Sequence, residues 1–150
     1  MDQKRSTSVH AAIACLQRLT EVFQQRRVQL AMSVGLSEQQ WAVLEQISSE
    51  HFMPSMFAKS RESSAAAVSK ILRQLVDKGH VTARVDAIDA RQRRYELTAL
   101  GKKTMSLLRK NRERAIESVW MPLAVKDLDA FTRFGTHLTE SLEKYTKQGD

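Results

Sequence analysis

Asp89 is followed by Arg91, Arg93 and Arg94 in the polar run DAIDARQRR. A guanidinium is a permanently charged planar fork of donors that matches the paired oxygens of a phosphate, and a carboxylate two residues away can hold one such fork in a fixed direction. Upstream, SSAAAVSKILRQL turns Ser64, Ala65, Ala66, Ser69, Lys70 and Arg73 to one side of a helix if Val68, Ile71, Leu72 and Leu75 turn inward. Small residues let a helix approach closely, while hydroxyls and first-turn amides donate to phosphates or base edges and Lys and Arg add charge. Both segments carry the chemistry of contact with a polyanion.

The charge distribution agrees. The 150 residues hold 24 Lys and Arg against 17 Asp and Glu, a formal net charge of +7. Between Lys59 and Lys103 there are eleven basic and five acidic side chains, which leaves +6 in that stretch and +1 in the rest. A basic centre between near-neutral arms suits nucleic acid, the alternative being a solvated basic face. The chain has no Gly-rich phosphate loop, GxSxG or HExxH pattern, which argues against an enzyme. His10, His51, His80 and His137 are scattered without ligand spacing, so no metal and no cofactor is expected. A single Cys excludes a disulfide scaffold and fits a reducing cytoplasm. No apolar run reaches a membrane span, and the basic N-terminus lacks the apolar core of an export signal.

These groups need scaffolding, and five Gly and two Pro leave room for long helices. Val9, Ile13, Leu16, Leu19, Phe23 and Leu30 predict an amphipathic helix over 9–32 that stops near Gly35. Ser37 with Gln40 reads as a capping box opening a second helix with Trp41, Val43, Leu44 and Ile47. Pro54 suits a short helix through Phe57 and Ala58, ending near Arg61. Ser63 or Ser64 then caps the helix that bears the outward set, and Gly79 ends it. Val81–Val85 and Arg94–Leu97 alternate as two strands of a hairpin with a basic tip. Thr98 caps a long helix ending around Trp120 and Pro122. A last helix from about Val125 repeats Leu128, Phe131, Phe134, Leu138, Leu142 and Tyr145 at three- and four-residue intervals, a seam that demands a partner surface.

Two short helices, a turn and a strand-loop-strand form a winged helix-turn-helix, in which the second helix enters a major groove and the hairpin tip reaches a minor groove. Here the sequence resembles the MarR family of winged helix-turn-helix transcriptional regulators. The resemblance rests on DARQRRYELTALG (Asp89 to Gly101), on SAAAVSKILRQLVDKGHVTAR and on LSEQQWAVLEQI, within Leu36 to Gly101. Ala90 departs from the family's usual basic pair, with Arg91 alone matching. Arg61, Glu62 and Ser63 stand where the family has apolar, Gly and apolar residues, so an irregular turn is expected there.

The expected architecture is mainly α with a two-stranded wing in a single domain: a DNA-binding lobe over 36–101 and a helical dimerisation region over 9–35 and 102–147. Val9, Ile13 and the seam from Leu128 to Tyr145 would join two copies. The resemblance implies a homodimer that binds double-stranded DNA at a pseudo-palindromic operator, in most such proteins as a repressor. It also implies a small, often aromatic and acidic, effector between the helices and the winged lobe. Trp41 is a candidate wall for its pocket and His10 or Arg18 a partner for its carboxylate, unless Trp41 simply fills the core. Cys15 reads either as a redox-responsive thiol or as a small buried hydrophobe. The rival classes are a protein-interaction module with an idle basic hairpin and a non-specific nucleic-acid binder.

Overall fold

The computed structural model describes residues 2–49, 54, 57–58 and 63–149. Helix α1 spans Gln3–Ser33, starting earlier than its apolar periodicity suggests because Asp2 caps it by accepting from the Lys4 amide at 3.1 Å. Gly35, at φ +75°, turns the chain after this helix with a conformation that side chains disfavour. Helix α2 follows over Glu38–Ser48. Its capping box is closed in both directions: Gln40 N–H donates to Ser37 Oγ and Ser37 N–H to Gln40 Oε1, each at 3.1 Å. Pro54, Phe57 and Ala58 are helical. The expected helix end near Arg61 and the irregular turn at Arg61 and Glu62 lie outside the described residues.

Helix α3 is Ala65–Asp77, capped by Ser64, which accepts from the Ala67 amide at 3.0 Å. Gly79, at φ +79°, reverses the chain into β1, Val81–Val85, which pairs antiparallel with β2, Arg93–Leu97. Helix α4 covers Ala99–Ala115 and runs into a single π-helical turn at Ile116–Trp120. Helix α5 is Val125–Gln148. Mainly helical with one antiparallel hairpin, this is the winged helix-turn-helix expected from the pattern.

Within what the sequence reads as one domain, the chain forms two compact units, Met1–Arg109 and Lys110–Asp150. The core of the first gathers Leu30 and Ala31 from α1, Trp41, Val43 and Leu44 from α2, Phe57, Val68, Leu72 and Leu75, Val81 from β1 and Leu108 from α4. Ala31, Val43, Leu44 and Leu75 are wholly buried. Fully burying a Leu or Val contributes about 1.5–3 kcal/mol. In the second unit the π turn is closed by the Met121 amide on the Ile116 carbonyl at 3.0 Å, and Phe131, Phe134, Leu142 and Tyr145 of α5 are exposed while Leu128 and Leu138 are half-buried.

The junction between hairpin and α4 explains the Leu-Thr-x-x-Gly signature. Thr98 Oγ1 donates to the Gly79 carbonyl at 2.6 Å and accepts from the Gly101 amide at 3.0 Å, so one hydroxyl caps α4 and ties it to the end of α3. The Thr98 amide donates to the His80 carbonyl at 3.0 Å. A Cβ on Gly101 would overlap that same carbonyl oxygen, far closer than carbon–oxygen van der Waals contact allows. Close backbone approach is what makes glycine necessary here.

Candidate nucleic-acid interface

The outward face of α3 is set by its inward one. Val68, Leu72 and Leu75 are buried and Ile71 half-buried, which leaves Ser64, Ala65, Ala66, Ser69, Lys70 and Arg73 exposed, as their spacing predicts. A polar tether fixes the C-terminal end of α3 against α2. Lys78 Nζ donates to the Gly35 carbonyl at 2.8 Å and to Gln40 Oε1 at 2.9 Å, and Gln40 Nε2 donates to Gln74 Oε1 at 3.0 Å. Gln40 is buried, so these bonds offset its desolvation.

The exposed faces of α3 and of the wing meet in a groove of about 600 Å³. Ser69 and Arg73 line it from α3, Arg91 and Arg93 from the wing, and Leu72, Ala83 and Tyr95 lie beneath. Among the described residues, Arg73, Arg91 and Arg93 form no ion pair, so three guanidinium groups border one groove uncompensated. Lys70 is turned elsewhere, into a second groove of about 490 Å³ with Glu38, Gln39 and Ser63. Ser64 Oγ is engaged in capping.

Strand alternation separates Arg93 from Arg94. Arg93 pairs with Val85 in register, whereas Arg94 stands opposite Arg84 on the other face of the hairpin. Like charges directly across a ladder repel. Glu96, 4.0 Å from Arg84 at the exposed surface, and the Asp86 carboxylate near Arg94 relieve them in part. Sequence reasoning overlooked Arg84, although its alternation with Val81, Ala83 and Val85 marks it as outward-facing.

At the tip, Asp89 does not grip the Arg91 guanidinium as expected. Its Oδ1 accepts from the Arg91 backbone amide at 3.0 Å, because two residues of separation close an Asx turn more readily than they allow a long side chain to fold back. Asp86 makes a similar turn, accepting from the amides of Ile88 at 2.8 Å and Asp89 at 3.4 Å. These amides, Ile88 first, hold the Asp86 carboxyl below the usual carboxylate range, with a smaller contribution from Arg94 against a small opposing desolvation.

The chain does not bring His10, Arg18 and Trp41 together. Trp41 is buried in the core and covered by Arg27, whose guanidinium carbon lies 4.1 Å from the ring centre. Arg27 also bonds Glu38 at 3.1 Å and approaches Glu45 at 3.6 Å. Arg18, ion-paired with Glu21 at 3.0 Å, and His10, with Nδ1 2.7 Å from the Ser6 carbonyl, lie about 13 and 25 Å farther along α1 than Arg27. Trp41 is therefore a core residue under a cationic lid. Cys15 is exposed. Val9 and Ile13 are exposed too. Among the described residues no cluster of His, Cys, Asp and Glu could hold a metal ion, and no helix is long and apolar enough to cross a membrane.

This arrangement of helices and wing recurs in solved structures. A MarR family transcription regulator superposes with a TM-score of 0.85 at 18% identity, with 96% of each chain covered. The fold is that of MarR-family regulators. The S. aureus MepR-DNA complex matches with a TM-score of 0.68 at 18% identity over 85% of this chain and 94% of that one. MepR of S. aureus bound to ethidium bromide matches at 0.60 and 19% identity, over 86% and 94%. No protein-family model and no curated protein matches the sequence. The MarR-type fold places α3 as the second helix of the helix-turn-helix and the Arg91 hairpin as its wing.

Proposed function

We propose that this chain is a member of the MarR family, a non-enzymatic cytoplasmic regulator of transcription that binds specific sites on double-stranded DNA. The observation that carries the reading is the groove between α3 and the wing, where Arg73, Arg91 and Arg93 meet without an ion-pair partner among the described residues, beside the small residues of α3. Each uncompensated cation that reaches a phosphate releases a condensed counterion, and the small face allows the close approach that base contact requires. Ser69 and the Ala65–Ala66 turn would face the major groove and Arg91 an adjacent minor groove.

The exposed apolar faces of α1, with Val9 and Ile13, and of α5, with Phe131 and Tyr145, support a homodimer on a pseudo-palindromic operator. Repression by operator occupancy is the simplest output, and a small aromatic effector would act by favouring one spacing of the two lobes over the other. The decisive experiment is selection of bound duplexes from a random pool, with footprints of the winners. A two-fold-related motif is expected; recovery of unrelated sequences at equal affinity would reduce the protein to a non-specific binder. Titrating aromatic acids and aromatic cations while monitoring duplex affinity tests the effector.

A further inference from the structure

We propose that Ile88, at the tip of the wing, is a specificity residue that packs into a DNA minor groove and disfavours G·C pairs beneath it; the inference rests on the duplex-binding reading above. Ile88 is 98% exposed, the most exposed of the large apolar side chains described. It is also misplaced by composition, since turns favour Gly, Asn, Asp, Ser and Pro, and a branched aliphatic gains nothing there from the chain itself.

The surrounding backbone is nevertheless built to present it. Asp86 Oδ1 accepts the Ile88 amide at 2.8 Å, Asp89 Oδ1 accepts the Arg91 amide at 3.0 Å, and the Gln92 amide closes on the Asp89 carbonyl at 3.0 Å. Two consecutive turns thus place Ile88 and Arg91 on one tip, with both carboxylates engaged by backbone amides. The positive charge that follows, Arg91 and Arg93, selects the occupant: an apolar tip beside cations that have no ion-pair partner among the described residues complements a narrow polyanionic cleft. The minor groove has that character, with apolar sugar walls and a strongly negative floor.

A side chain without polar atoms still reads sequence there. Guanine raises a 2-amino donor from the minor-groove floor where A·T pairs show only acceptors. Beneath Ile88 that amino group would meet the branched side chain and lose its water without gaining a bond. A·T pairs avoid both penalties.

The test uses wild type, Ile88→Ser, Ile88→Val and Arg91→Ala on a selected duplex, with the wing's position located by hydroxyl-radical footprinting and its base pairs set to A·T, G·C or inosine·C. Inosine lacks the 2-amino group. Wild type should bind A·T and inosine·C alike and G·C roughly tenfold more weakly, a single-position discrimination of ordinary size. Ile88→Val should keep both affinity and preference. Ile88→Ser should bind A·T roughly tenfold more weakly, as expected for one unburied aliphatic side chain, and lose most of the preference. Its salt dependence should match wild type because no cation is removed, and so should its melting temperature because Ile88 buries nothing in the fold. If Ile88→Ser matches wild type in affinity and preference, or if the preference survives in Ile88→Ser and disappears in Arg91→Ala, the inference fails while duplex binding stands. If wild type binds no duplex, both fail.

Discussion

Replacing Gly101 with Ala sets two physical effects of opposite sign against each other. Gly101 lies in the first turn of α4, and helix propensity alone favours Ala by about 0.5–1 kcal/mol. The added methyl, however, would overlap the His80 carbonyl oxygen, with the carbonyl carbon 3.2 Å away and a Leu97 methyl at 3.4 Å. The obstacle is backbone and cannot rotate aside. That carbonyl also accepts the Thr98 amide, and Thr98 caps the helix, so relieving the overlap draws on two hydrogen bonds at once. Overpacking of this kind costs about 1–3 kcal/mol and weakening a hydrogen bond about 1 kcal/mol more, for a net loss near 2 kcal/mol. In a unit of this size that lowers the melting temperature by roughly 10 °C. Thermal and urea unfolding followed by circular dichroism measure it. An Ala variant as stable as wild type, or more so, would refute the argument and mean that α4 does not sit against the hairpin as described.

Three further outcomes follow from the same geometry. Arg91→Ala should weaken duplex binding by roughly 1–3 kcal/mol and reduce the salt slope by about one unit without changing the melting temperature; unchanged affinity at matched salt would take the wing out of the interface. Replacing Phe131 and Leu138 of α5 with Glu should give a monomer by sedimentation and cost most of the affinity for a two-fold site, whereas a wild-type monomer at micromolar concentration would exclude the proposed dimer. His80 is buried, and desolvation first, then nearby Lys78, pushes its pKa below the ordinary value of about 6.5. A depressed pKa means that the folded state favours neutral imidazole, so this contribution to stability is complete above pH about 6.5 and is lost as pH falls through the folded value. Unfolding measured from pH 8 down to pH 5 should show that decline, and His80→Gln should flatten it.

The elements legible in the sequence are those whose determinants are local. The Ser37–Gln40 box, the Ser64 cap, the Gly79 reversal and the Thr98 cap on the Gly101 amide each depend on residues within a few positions of one another, and each element ends or begins as its residues predict, whereas the ties of Thr98 and Gly101 to Gly79 and His80 form only when α4 packs on the hairpin. The outward set on α3 followed from a three- and four-residue spacing. Arg27 escaped notice because its partners are eleven and eighteen residues away in Glu38 and Glu45, and with Trp41 they meet it only after α1 packs on α2. A signal existed: Arg27 falls four residues after Phe23 and three before Leu30, on the apolar stripe, where a cation needs a partner. The role given to Asp89 erred for the opposite reason, since the nearer backbone amide outcompetes the more distant side chain. The hairpin spacing was readable, but which arginines share a face was not until the pairing of Val85 with Arg93 was known.

Helix α1 has 31 residues, and of these only Leu30 and Ala31 are buried. About 40 Å of helix therefore projects from a root held by Arg27, Leu30 and Ala31. Such a member is a lever with its fulcrum beside the tryptophan. A rotation of about five degrees at that fulcrum displaces the distal end by roughly 3–4 Å, as the length of the arm requires. A partner that grips the far end of α1 would therefore act on the Arg27–Trp41 contact through a long arm.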